Sequence, residues 1–218
     1  MKDTLMDSLP FWDKLTENEK DDILAGSFLQ EMAKGSATHH NSSECTGVEV
    51  VKEGRVRVFI TSPNGGEITL YRLLSGDTCL LSAACMMKGL SLEINMEFEE
   101  ETELIIIPKN IYKKLMDENP ACTKFTLDLI SEKFSDVMWL FNQYVFSNMA
   151  KRLSDTLLEH MALEESSELI ITHDIIARDL GTAREVVTRL LKQFQTDGIV
   201  KLSRGKIEIL DIKKLKAV

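Results

Sequence analysis

Thr172–Arg204 reads THDIIARDLGTAREVVTRLLKQFQTDGIVKLSR. Thr172 suits a helix N-cap, and Asp174 puts a negative charge in the first turn, where the helix dipole favours it. Ile175, Ile176 and Leu180 form an apolar stripe at helical spacing. Gly181 follows as a glycine does when it closes a helix in the left-handed conformation. Thr182 is placed to cap a second helix. Val186, Val187, Leu190, Leu191 and Phe194 of that helix are expected to face inward, with Arg184, Glu185, Thr188 and Arg189 on the opposite face. Ile199–Leu202 then turns at Arg204-Gly205 into Lys206–Leu210, a hairpin. Two helices on a tight Gly turn, the second showing Arg and Glu from its first turns, match the geometry that sets a helix into the DNA major groove.

The longer segment ITHDIIARDLGTAREVVTRLLKQFQTDGIVKLSRGKIEIL resembles the winged helix-turn-helix of the Crp/Fnr transcription regulators, with Gly181, Arg184, Glu185 and Arg189 on the family's G-x-x-R-E-x-x-x-R pattern. Arginine grips guanine O6 and N7 with two donors, and glutamate accepts from cytosine N4. The resemblance implies Thr172, Thr182, Arg184, Glu185, Thr188, Arg189 and Arg204 as DNA-contacting residues. It implies double-stranded DNA with a two-fold symmetric site as partner, and RNA polymerase as a further partner if the protein activates transcription. The plainer alternative is an amphipathic helix with a solvated face; turn and wing together favour recognition.

The 218 residues suffice for one large or two modest domains. A net charge of −9 argues against a nucleic-acid partner only until it is located. Residues 1–146 hold 14 of the 26 Lys and Arg and 24 of the 35 Asp and Glu, a net of −10; residues 147–218 hold the other 12 and 11, a net of +1. Acid in the first part does not prevent binding by the second, where local placement of Arg and Lys matters more than the total. The start of the chain lacks a basic, then apolar, leader, and no apolar run approaches the ~20 residues that span a bilayer. A cytoplasmic protein without membrane attachment is therefore expected. Cys45, Cys79, Cys85 and Cys122 are too sparse for a disulfide scaffold and are expected as thiols.

Upstream, Leu9, Phe11, Trp12 and Leu15 precede a helix opened by Thr16 and Glu19 in a capping-box pattern and closed at Gly26. From Phe28 to Ile107 the texture changes to short β-branched runs cut by glycine: GVEVVKE, GRVRVFITS, GGEITLYRLL, SLEINMEF and TELIIIP. In GRVRVFI, Val56, Val58 and Ile60 alternate with Arg55, Arg57 and Phe59, and SPNGGE has hairpin-turn composition. Short antiparallel strands of this kind build a β-roll or jelly roll. After Pro108 a short helix is expected over Asn110–Met116, and Pro120 opens a long one to about Val145. Its Leu127, Ile130, Phe134, Val137, Phe141 and Tyr144 are spaced 3, 4, 3, 4, 3, a coiled-coil seam. Phe125, Leu129 and Leu140 form a second stripe, expected to pack on the β-rich part. The seam predicts a homodimer, to which a two-fold DNA site corresponds; the alternative is one helix buried on two sides of a monomer. Ser147 or Asn148 caps a further helix, and LEESSEL reads as a polar connector.

The whole chain thus resembles the Crp/Fnr layout, an α+β fold: N-terminal double-stranded β-roll (jelly roll) effector domain over 1–119, long dimerisation helix over 120–146, and C-terminal winged helix-turn-helix DNA-binding domain over 147–218. In cyclic-nucleotide-binding members a cassette of the form G-E-x-x-L followed by P-R-[ST]-A holds ribose and cyclic phosphate. The corresponding segment here, GDTCLLSAACMMKGLSL (76–92), contains no arginine, and Lys88 lacks the planar fork. Cyclic AMP is therefore not expected. Iron–sulfur sensing in the family uses an N-terminal cysteine cluster, and residues 1–44 contain no cysteine. Haem would require His39 or His40, adjacent residues that point to opposite faces of a strand, so at most one serves a given site. Cys79 and Cys85, with Cys45 elsewhere on the roll, are the remaining sensor candidates, by thiol chemistry; buried apolar packing is the alternative. The effector stays unassigned.

The sequence has no G-x-S-x-G, Walker A, H-E-x-x-H or C-x-x-C motif. The acid run EFEEETE (Glu97–Glu103) lacks the regular alternation of a calcium loop. Neither an enzyme nor a metal site is expected. The reading is a DNA-binding regulator controlled through its β-roll. Two alternatives remain open: a regulator with no effector, and a cyclic-nucleotide-binding signalling module whose winged helix docks a protein.

Overall fold

The computed structural model describes residues 1–40, 47–63, 65–79 and 94–218, the side chains of 39 and 40 excepted. Cys45, Cys85 and Lys88 lie outside the described residues. In chain order, α1 (Lys2–Ser8), a single 3-10 turn (Trp12–Lys14) and α2 (Glu17–Gly26) precede the strands. These are β1 (Phe28–Met32), β2 (Ala37–His40), β3 (Gly47–Glu53), β4 (Arg55–Thr61), β5 (Glu67–Leu74), β6 (Thr78–Cys79), β7 (Ile94–Phe98) and β8 (Thr102–Pro108). Then come α3 (Lys109–Glu118), α4 (Pro120–Phe146), α5 (Met149–Leu163), β9 (Glu168–Leu169), α6 (His173–Leu180), α7 (Arg184–Thr196), β10 (Val200–Ser203), β11 (Lys206–Ile209) and α8 (Ile212–Lys216). The fold is α+β: β-sheets in the N-terminal region, a long helix and a C-terminal helix-turn-helix. Among the described residues no helix is long and apolar enough to cross a membrane.

Two compact units divide the chain: residues 1–60 with 70–137, and residues 61–69 with 138–218. The division falls inside α4. In the first unit, strands run in the orders β1-β8-β3-β6 and β2-β7-β4-β5. Period-two alternation sorts their side chains. Val51, Val56, Val58, Met96, Phe98, Leu104 and Ile106 meet in a core drawn from both sheets. Val48, Val50, Ile105 and Ile107, on the other face of the β3–β8 pair, pack with Leu5, Leu9, Trp12 and Ile23 from the N-terminal helices and Tyr112 of α3. The Thr16–Glu19 capping box forms as the sequence predicts, the Thr16 side chain accepting from Glu19 N and Glu19 accepting from Thr16 N. Phe125 and Leu129 of the second stripe pack against this core, whereas Leu140 belongs to the second unit.

The acid run proves to be the counter-charge of neighbouring strands. Glu97 pairs with buried Arg57 at 2.7 Å, Arg72 and Arg55 both reach Glu99, and Glu103 pairs with Lys52. Among the described residues no cluster of three or more His, Cys, Asp or Glu is arranged to hold a metal ion.

The second unit has its own core. Leu153 and Leu157 of α5 pack with Ile176 and Leu180 of α6, with Val187, Leu191 and Phe194 of α7, and with Ile207 and Leu215. One element here differs from the sequence expectation, and another was not read from the sequence. LEESSEL is not only a connector, since its Glu168 and Leu169 form β9 and pair antiparallel with β11. The tail after Leu210 forms α8, capped by Asp211, whose side chain accepts from Lys214 N.

Candidate nucleic-acid interface

Local chemistry fixes the ends of the two helices. The Thr172 hydroxyl accepts from Ile175 N at 3.2 Å, giving α6 its N-cap. Gly181 ends α6 at φ 60°, in the left-handed region that a Cβ disfavours. Gly181 N bonds to Arg178 O and Thr182 N to Ala177 O, the paired bonds of a Schellman closure. Thr182 lies in the turn, one residue before the α7 N-cap, and does not cap α7. The N-cap is Ala183, which has no side chain able to accept. This corrects the expectation for Thr182 and places it, half-buried, behind the helix start.

Val187, Leu191 and Phe194 anchor α7 with Leu190 partly buried against the same core; Val186 is intermediate rather than buried. Arg184, Glu185 and Arg189 are exposed on the opposite side, and Thr188 is half-buried between them. Lys192 and Thr196, which the sequence reading did not single out, continue the same shallow groove toward the end of α7. Their signal was present in the spacing, Lys192 at i+3 from Arg189 and i+4 from Thr188, and Thr196 at i+4 from Lys192.

Two contacts reach this face from the first turn of α6. Asp174 Oδ2 lies 3.0 Å from Arg184 Nη1. His173 Nδ1 lies 2.9 Å from Thr188 Oγ1. Burial, with the nearby Arg184 charge, pushes the His173 pKa below its ordinary value. Sequence reasoning took Asp174 only as a dipole-favourable residue and passed over His173, because nothing local to either announces a partner across the turn.

The wing is a two-residue reversal. Ser203 pairs with Lys206, leaving Arg204-Gly205 at the tip, where Gly205 takes φ 72°. Arg204 is exposed, while Lys201 and Lys206 are paired with Glu208 and Glu168. Behind the turn, Leu180 O accepts from Tyr144 Oη at 2.8 Å and from Arg152, whose guanidinium sits 3.4 Å over the Tyr144 ring. Asp179 is buried, bonded to His160 at 2.8 Å and to Thr69 at 2.6 Å.

Of the six seam residues, Leu127, Phe134, Val137 and Phe141 are exposed. Ile130 packs on the core of its own unit, and Tyr144 is taken by Leu180 O. Met138, Trp139, Val145 and Phe146 add to the exposed apolar residues of α4. Cys79 is buried, with its sulfur 3.8 Å from Met96 Sδ; the Cys79–Cys85 spacing lies partly outside the described residues. Cys122 is buried too, and burial pushes its thiol up to about 11.

Residues 151–218 match the Crp-like helix-turn-helix domain. A solved structure of a candidate transcriptional regulator of the Crp/Fnr family from Eubacterium rectale shares 44% identity over 96% of this chain and 97% of its own, with a TM-score of 0.91. The c-di-GMP-responsive global regulator CLP of Xanthomonas campestris, at 17% identity, matches in fold with a TM-score of 0.76 over 90% of this chain and all of its own. The cyclic AMP receptor protein of Thermus thermophilus is 24% identical over 98% of both chains.

Proposed function

The chain belongs to the Crp/Fnr family of transcription regulators, and from that membership we propose that it acts as a homodimer reading a two-fold symmetric DNA site through α7, under control of its β-roll. The observation that carries this reading is the α7 face. Arg184, Glu185 and Arg189 stand exposed on a helix whose opposite side is locked into a core, with Arg204 exposed at the wing tip. An exposed guanidinium at the start of such a helix supplies the two-donor grip on guanine, and Glu185 the acceptor for cytosine N4. Thr172 and Arg204 serve the backbone on either side, which positions the protein without reading sequence.

The dimer surface is the exposed apolar stripe of α4: Leu127, Phe134, Val137 and Phe141 from the original seam, extended by Met138 and Val145. Two copies joined there present two α7 helices to half-sites about one helical turn apart, ~10–11 bp centre to centre. The protein works in the cytoplasm with DNA as its partner, and with RNA polymerase where it activates. An effector in the roll need only bind the DNA-competent arrangement better than the other. Cyclic AMP does not fill that role here, although the Thermus relative carries that name, because residues 76–92 supply no arginine for a cyclic phosphate.

Selection of bound duplexes from random DNA tests the reading. A two-fold site with G·C pairs in each half is expected. Arg184→Ala and Arg189→Ala are each expected to cost about 1–3 kcal/mol and to relax preference at one base pair. Absence of a two-fold site, or unchanged preference in both variants, overturns the assignment of α7. A rise in affinity on adding cyclic AMP overturns the statement on the effector.

A further inference from the structure

Taking the α7 reading as its premise, we propose that Asp174 is a positioning residue that sets the specificity of Arg184. The face of α7 divides into two stripes, each with residues one turn apart. Arg184 and Thr188 are held from α6, by Asp174 at 3.0 Å and by His173 at 2.9 Å. Glu185 and Arg189 form no ion pair among the described residues.

The chemistry of a held arginine differs from that of a free one. With Nη1 committed to Asp174, the guanidinium plane is fixed and its remaining donors, on Nη2 and Nε, present an edge that fits guanine O6 and N7. Part of the rotamer freedom that Arg184 would lose on binding is already lost in the free protein. The carboxylate also answers the Arg184 charge, so a phosphate at any sequence gains less from it. Asp174 therefore favours base reading by Arg184 over backbone attraction. The His173–Thr188 contact ties the same turn of α6 to α7 and keeps the Asp174–Arg184 geometry in register. Both partners are exposed, 60% on Arg184 and 58% on Asp174, so the held guanidinium stands within reach of DNA.

The experiment is competition binding of full-length wild type, Asp174→Asn, Asp174→Glu, Arg184→Ala and the Asp174→Asn/Arg184→Ala double variant. Three duplexes are compared over a range of salt: the selected site, sites changed at single base pairs, and random DNA. Asp174→Asn is expected to lose roughly tenfold discrimination at the base pair that Arg184→Ala also relaxes. It is expected to keep its preference at the base pair read by Arg189. It should bind random DNA at least as tightly as wild type, with a salt slope steeper by about one per protomer as Arg184 turns to phosphate. Asp174→Glu, which keeps the carboxylate, should retain the preference. In the Arg184→Ala background the Asn substitution should change none of these. Unchanged discrimination in Asp174→Asn, the same loss without Arg184, or uniform weakening on all three duplexes overturns the proposal. A wild type that selects no site refutes the α7 reading instead, a result recognisable before any variant is measured.

Discussion

Hydrogen-bond accounting at single residues gives different outcomes for three positions before the starts of α6 and α7. Thr172 caps α6 through its hydroxyl, so Thr172→Ala is expected to cost about 1 kcal/mol of stability. Thr182 donates its backbone amide to Ala177 and lends no cap, so Thr182→Ala should be close to neutral. Ala183 occupies an N-cap that prefers a hydroxyl or carboxylate, so Ala183→Ser should stabilise by about 0.5–2 kcal/mol. Denaturant unfolding of the three variants checks the set, and a Thr182 cost equal to that of Thr172 would contradict the cap assignment. In the first unit, Glu49 is buried on β3, and burial raises its carboxyl from 4.5 to about 7. The folded state thus holds the proton more tightly than the unfolded chain. The associated stability is complete below the ordinary carboxylate value and is lost as pH rises through about 7. Glu49→Gln should accordingly gain up to about 3 kcal/mol over wild type at pH 8 and almost nothing at pH 4. Equal gains at both pH values would show that the charge is not what Glu49 costs the fold.

The helix-turn-helix is the element on which the reading turns, and its turn is built on one backbone conformation. Gly181 sits at φ 60°, and a Cβ there would lie 2.5 Å from Ile68 Cγ1 and 3.0 Å from Tyr144 Oη, both within the second unit. Gly181→Ala is thus strained by conformation and by contact. It is expected to lower the stability of that unit by more than about 1 kcal/mol, and with it DNA affinity, while the base preferences of the folded fraction persist. Thermal unfolding followed together with site selection separates the two effects; unchanged melting would mean the turn relaxes without strain. At α4 the physics is different. Its middle and end expose large apolar side chains, Phe134 at 65% and Phe141 at 60%, a density on one helix that solvated surfaces seldom carry.

For the whole molecule, that stripe and the charge distribution matter together. In the proposed dimer, replacing Phe134 and Val137 with Glu would put like charges against each other across the two-fold axis. The double variant is expected to sediment as a monomer and lose two-fold-site binding, with the residues 151–218 part still folded by circular dichroism. An intact dimer would place the interface elsewhere. The net of −10 on residues 1–146 against +1 on residues 147–218 keeps general attraction to phosphate low, so in the proposed reading selectivity falls to Arg184 and Arg189 of α7.

The sequence by itself determined whatever rests on neighbours in the chain. Thr172 as cap, Gly181 as closure, the inward Val187–Leu191–Phe194 stripe and the Arg204-Gly205 reversal are written within a few residues of where they act. The alternation of Val56 and Val58 with Arg55 and Arg57 was equally local, and so were Thr16 with Glu19 and the length of α4. Tertiary structure alone decided the rest. β9 is two residues long and exists because β11 pairs with it. Thr182 lost the cap because α7 starts one residue later, with Ala183 at the N-cap. The 3-4 repeat of α4 gave both Ile130 and Tyr144 to the seam, yet Ile130 found the core of its own unit and Tyr144 found Leu180 O, 36 residues away. Asp174 met Arg184 only once the glycine turn had folded one helix back on the other. Helical and strand periodicity reports which side of an element is apolar; which surface covers that side, and which charge faces which, depends on chain segments far apart in sequence.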